Sequence, residues 1–156
     1  TIQMLSYQTV NSHTLELLKK LTNEEFLSKA RLVGGTALAL QYGHRISIDL
    51  DFFGNIEEDN ETIKEVLINI GKLSVIKESR NIKIYILDDI KIDFVNYRYN
   101  WLDPAIEENG IRLALPQRYC SNENKCNRGT GNQKRLYRYL FPTATLFTGK
   151  HSKILC

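Results

Sequence analysis

Between Ser12 and Lys29, apolar residues recur at helical spacing: Leu15, Leu18 and Leu21, then Phe26 and Leu27, with Lys19, Lys20, Glu24 and Glu25 between them. This predicts a helix whose apolar stripe covers one face of a sheet. Asn11 or Ser12 can cap its start, and Asn23 can divide it in two. Leu32 and Val33 form a short apolar strand running into the Gly34-Gly35 turn. The Ala- and Leu-rich stretch from Thr36 to Tyr42 suits a short buried helix closed by Gly43. His44-Arg45 is a polar loop. From Ile46 to Phe53 the chain alternates as a strand, with Ile46, Ile48, Leu50 and Phe52 on one side and Ser47, Asp49 and Asp51 on the other.

Asn60 to Leu73 is amphipathic, with Ile63, Val66, Leu67 and Ile70 inward, an acidic start that suits the helix dipole, and Gly71 near its end. Three strands are expected next, at Ser74–Ser79, Ile82–Leu87 and Ile90–Tyr97, with Asp88-Asp89 as the tight turn between the last two. In the third, Ile90, Ile92 and Phe94 face one way and Lys91, Asp93 and Val95 the other. Residues 101–108 read as a loop and a short helix starting near Pro104, and residues 110–115 as a short strand. The succession describes an α/β fold: a small, mixed, twisted sheet with helices mainly on one face.

Charge changes the picture only through its distribution. The 156 residues carry a net +3, but residues 117–156 hold 8 of the 21 Lys and Arg and only 1 of the 18 Asp and Glu. The body before them is therefore mildly acidic, and all three cysteines, Cys120, Cys126 and Cys156, also lie after Pro116. The chain thus divides into residues 1–116, a catalytic-type domain, and residues 117–156, an atypical tail. No apolar run is long enough to span a bilayer and no signal-peptide pattern opens the chain, so a cytoplasmic location is expected.

The candidate chemistry sits between Gly34 and Asp93. Glycines let backbone N–H groups approach a phosphate, and the helix behind them points its positive end the same way. Residues two apart on a strand share a face, so Asp49 and Asp51 present two carboxylates together. If the strand bearing Asp93 is a neighbour, three carboxylates meet, an arrangement that makes sense when Mg²⁺ or Mn²⁺ occupies the gap. Two such ions would bridge a nucleoside triphosphate (NTP) and activate a hydroxyl, with Asp93 placed to accept its proton. Gly34, Gly35 and Thr36 would hold the β- and γ-phosphates, and Arg45 reaches either a phosphate or a strand acid. His44 fixes the loop, and Lys91 is a solvated strand residue. Taken singly, a D-x-D is more often two solvated acids and a Gly-Gly only a turn; the combination carries the specificity.

That combination, strand, Gly-Gly-Thr, helix, strand with D-x-D and a later strand with one aspartate, resembles the polymerase-β-like nucleotidyltransferases. The text GGTALALQYGHRISIDLDFF, with IKIDFVNY downstream, is similar to the nucleotidyl transferase AbiEii toxin family across roughly residues 5 to 116. The resemblance implies that Gly35 and Thr36 touch the nucleotide, that Asp49 and Asp51 bind metal and that Asp93 is the third carboxylate. It also implies a toxin of a bacterial toxin–antitoxin or phage-defence pair that moves a nucleotide from an NTP to a hydroxyl acceptor such as RNA or tRNA, with a separately encoded antitoxin.

The resemblance lapses after Pro116, where the family would place two helices with a lysine and an aspartate. Choosing codons for residues 116–156 and dropping one base after the proline permits a translation with two amphipathic helices and a K-D-F-I-D-I-Y run. This describes an out-of-frame replacement of the C-terminal helices, and with it an inactivated enzyme. Two other readings stand beside the transferase: a non-catalytic nucleotide- or partner-binding remnant of the fold, and a tail that binds zinc through Cys120, Cys126 and His151 or binds nucleic acid through its basic residues. The C-x₅-C spacing is poor for zinc.

Overall fold

Helix α1, Ser12–Thr22, begins where Asn11 accepts the Thr14 N–H on its side-chain oxygen at 2.7 Å. That bond satisfies one of the donors left open at a helix start. Asn23 ends the helix, and the rest of the expected helical stretch is a single 3₁₀ turn, Glu25–Leu27. The computed structural model describes residues 4–98, 101 and 104–114. The readings made for the tail, its cysteines and His151 lie outside the described residues. Every helix and strand described belongs to one compact unit.

Strand β1, Ala30–Val33, leads directly into helix α2, Gly34–Tyr42, which Gly43 closes in the left-handed conformation at φ 65°. Strand β2 is Leu50–Gly54. Helix α3, Asn60–Ile70, is capped by Asp59, whose carboxylate accepts the Thr62 N–H at 2.8 Å. Strands β3, Leu73–Glu78, β4, Ile82–Leu87, and β5, Ile90–Asn96, follow, then β6, Ile106–Glu108, and β7, Ile111–Leu113. The seven strands form one mixed sheet in the order β3-β4-β5-β2-β1-β7-β6. The β2–β5 and β1–β7 pairs are parallel and the others antiparallel. The expected mixed α/β class is therefore the observed one.

One face of the sheet carries the core. Leu32, Leu50, Phe52, Tyr85, Leu87, Ile92, Phe94, Ile111 and Leu113 pack with Leu17, Leu18 and Leu21 of α1 and Ile63 and Leu67 of α3. Phe94 is at the centre of an aromatic group, with ring centroids 5.5 Å from Phe26, 5.8 Å from Phe52 and 5.9 Å from Tyr85. The opposite face carries a row that runs Val33, Asp51, Asp93 and Ile84 across four adjacent strands.

Two expected elements are corrected. The strand expected from Ile46 to Phe53 starts only at Leu50, and Ile46 and Ile48, expected on one side with Leu50 and Phe52, are 73% and 59% exposed. The backbone of that segment bonds elsewhere: the Ser47 N–H donates to the Thr9 carbonyl at 3.0 Å, and the Asp49 carbonyl accepts the Thr36 hydroxyl. The short helix expected near Pro104 is strand β6, joined to β7 by a two-residue hairpin at Asn109-Gly110 with φ of 51° and 80°. Asn-Gly is the pair such a turn favours, and it outweighs the weak helix start at proline. Among the described residues, no helix is long and apolar enough to cross a membrane.

Phe94→Ala empties the aromatic group and is expected to destabilise the chain by about 3–5 kcal/mol. Urea denaturation checks this through a lowered midpoint at unchanged slope.

Candidate active site

The site grows from three central strands, β1, β2 and β5. Because β2 and β5 are parallel and in register, Asp51 stands directly beside Asp93. The alternate residues, Phe52 and Phe94, pair likewise on the core face. Asp93 is 1% exposed and Asp51 is half-buried. Two carboxyls held side by side away from water resist ionising together. Burial, reinforced by the neighbouring Asp93 charge and more weakly by Asp49, pushes the Asp51 carboxyl up from 3.8 to about 7, against the pull of Lys91. The Lys91 ammonium donates to Asp93 Oδ2 at 3.0 Å.

The glycine turn closes over the acids. Gly34 adopts φ 71°, and a Cβ there would lie 2.5 Å from Asp51 Oδ2, so both backbone conformation and space demand glycine. A Cβ on Gly35 would run into the Arg45 guanidinium and approach Ser47 Oγ to 3.4 Å. The start of α2, the Arg45 cation and the Asp51 carboxylate are thus gathered at one place. An exposed guanidinium beside a helix N-terminus suits an anionic group such as phosphate.

Thr36 is placed differently from its neighbours. It is 0% exposed, and its hydroxyl bonds Ser47 Oγ at 2.8 Å and the Asp49 carbonyl. A carbonyl only accepts, so the Thr36 proton goes to Asp49 and the Ser47 hydroxyl donates to Thr36. The side chain therefore ties α2 to the segment carrying Asp49. Asp49 itself is exposed, one residue ahead of β2. His44 lies edge-on to the Tyr42 ring with centroids 6.4 Å apart. The structure brings together Gly34, Asp51 and Asp93, and Gly35 with Arg45; among the described residues, no three His, Cys, Asp or Glu side chains are close enough to hold one metal ion. The donors nonetheless fit a hard divalent cation in kind: carboxylate oxygens, two of the three side chains adjacent, one of them already drawing an ammonium ion onto itself. Lys91 is exposed, as expected of a solvated strand residue on the Asp93 side, and its ammonium also reaches Asp93. Ser47 is a second member of the site that carried no motif.

A family model described as nucleotidyl transferase AbiEii toxin, Type IV TA system, matches residues 16–125, well over half of the chain and past Pro116. An uncharacterized protein of Aquifex aeolicus (strain VF5) is 34% identical over 102 residues, which are 64% of this chain and 50% of that protein. The chain thus spans about half the length of the curated relative it matches. Among solved structures, an H. pylori protein provisionally named a nucleotidyltransferase is 23% identical at a TM-score of 0.46, over 69% of this chain and 56% of that one. A structure of ANT(2″)-Ia in complex with adenylyl-2″-tobramycin is 13% identical at a TM-score of 0.45, over 85% and 89%.

A carboxyl at about 7 when folded and 3.8 when unfolded takes up a proton on folding between those values. The metal-free chain should therefore lose stability as pH rises from about 4 to about 7, then level off. Asp51→Asn should flatten that slope and raise the urea midpoint at about pH 8 in chelator; an unchanged slope in the variant would contradict the assignment. Thr36→Val strands the Asp49 carbonyl and should cost about 1–3 kcal/mol, whereas Thr36→Ser should stay near the parent chain in the same denaturation.

Proposed function

The chain belongs to the nucleotidyl transferase AbiEii toxin family, and on that premise we propose that it is a metal-dependent transferase moving a nucleotide from an NTP to a hydroxyl on RNA or tRNA. In this reading it is the toxin of a toxin–antitoxin pair whose antitoxin is encoded separately. The observation that carries the reading is the in-register Asp51–Asp93 pair beneath Gly34, with Arg45 against Gly35.

Asp49, Asp51 and Asp93 would hold Mg²⁺ or Mn²⁺, the Asp49 side chain turning in from its loop. When bound, the metal would supply Lewis-acid polarisation of the transferred phosphoryl group and lower the pKa of an attacking hydroxyl. The chain's own residues do the rest. The Gly34 and Gly35 backbone and the start of α2 cradle the β- and γ-phosphates, and Arg45 pairs with their charge. Asp93 accepts the proton of the incoming hydroxyl as its oxygen bonds the α-phosphorus and the bond to the β-phosphate breaks, releasing pyrophosphate. Thr36 acts as a positioning residue, holding α2 and the Asp49 segment at fixed separation rather than meeting the phosphate through its hydroxyl. Residues 1–116 form the transferase module, and residues 117–156 are read as an out-of-frame replacement of its C-terminal helices; a coding DNA that yields no helical text in the shifted frame ends that part of the reading.

Incubating the frame-restored chain with RNA, Mn²⁺ and each α-labelled NTP in turn, beside the present chain, tests the activity. Label should pass to RNA from one NTP in preference to the others, and Asp51→Asn and Asp93→Asn should each lower the rate by about 10³-fold or more. If neither this chain nor its frame-restored form transfers label while both still bind nucleotide, the binding remnant replaces the transferase.

A further inference from the structure

The acid face contains a cation of the chain's own. Lys91 stands two residues before Asp93 on β5, as Asp49 stands two before Asp51. Its ammonium lies 3.0 Å from Asp93 Oδ2, on a carboxylate that is 1% exposed, while the lysine side chain itself remains 44% exposed. Asp51 stands beside Asp93 in register on the adjoining strand. One flexible side chain therefore counters both acids from the solvent side of the site.

We propose that Lys91 is a displaceable internal counter-ion: it holds the Asp51–Asp93 pair until a divalent cation binds and then gives up Asp93 to that cation. This rests on the metal-dependent reading above and deepens it. A buried carboxylate pair without a counter-charge is costly, which gives the fold a reason to keep an ammonium there. A divalent ion binding the same oxygens would sit within a few ångströms of that ammonium, and like charges at such range repel strongly in a partly buried site. The ammonium is the group that moves, because its four-carbon stem is flexible and its exit is open to water. Asp93, fixed in the middle of a strand paired on both sides, stays. Lys91 thereby competes with the metal for Asp93 and acts as a positioning residue.

The test measures Mn²⁺ binding to the full chain without nucleotide, by the free-ion paramagnetic resonance signal. Lys91→Met keeps the stem and removes the charge; it should bind Mn²⁺ about tenfold more tightly, whereas Lys91→Arg should match the parent chain. In chelator Lys91→Met should melt below the parent chain, and Mn²⁺ should close that gap. A second measurement does not depend on that variant folding. In chain labelled with ¹⁵N-lysine, the Nζ resonance that Lys91→Arg removes should shift on adding Mg²⁺. Equal Mn²⁺ affinity in the parent chain and Lys91→Met, in a site that Asp51→Asn abolishes, or a Lys91 resonance that Mg²⁺ leaves unmoved, overturns the displacement while sparing the metal reading. No Mn²⁺ uptake by parent chain or variants overturns both.

Discussion

Two carboxyl groups occupy neighbouring positions on parallel strands, largely shielded from water, and the architecture around them is shaped by that adjacency. Asp51 and Asp93 stand in register because Phe52 and Phe94, one residue further along, stand in register on the other face. The core fixes the aromatic pair, and strand alternation carries the constraint through to the acids. Electrostatics then asks for compensation. Burial and mutual repulsion hold the Asp51 carboxyl near neutrality, and Lys91 brings an ammonium to Asp93. The stability gained from the aromatic core offsets the strain of keeping like charges together.

The second tier of the site is backbone. Gly34 can sit over Asp51 only because it lacks a Cβ and tolerates a positive φ, and Gly35 leaves room for the Arg45 guanidinium. Thr36 fastens the helix behind these glycines to the segment that carries Ser47 and Asp49. One buried hydroxyl thus ties helix to loop. The loop departs from strand geometry at that point, since its carbonyl is committed to the threonine instead of a sheet neighbour.

Much of this was legible in the amino-acid order. β4 spans Ile82–Leu87 as its alternation indicated, and the Asp88-Asp89 turn has the positive φ values, 49° and 64°, that such a hairpin needs. The helix division at Asn23 was readable because the apolar spacing changes there. What could not be read was tertiary. Ile46 and Ile48 alternate like a strand, and nothing local says that the Ser47 N–H and the Asp49 carbonyl beside them bond Thr9 and Thr36. The adjacency of β2 and β5 is set by the sheet as a whole, since α3, β3 and β4 separate them in sequence. The Asn109-Gly110 pair is a local hairpin signal stronger than the helix start at Pro104. Thr36 shows the limit of motif logic: its type and place suit a phosphate contact, yet its environment turns the hydroxyl inward.

The shared register of Phe52–Phe94 and Asp51–Asp93 has an evolutionary corollary. A one-residue slip of β5 against β2 would turn Asp93 into the core and Phe94 out to water, so the alignment of the acids is lost only together with the aromatic packing. Selection for a folded chain therefore preserves the acids' alignment as a by-product. Descendants that abandoned the chemistry would keep the scaffold of the site for as long as they kept their core, and would lose function first by exchanging side chains, not by moving strands.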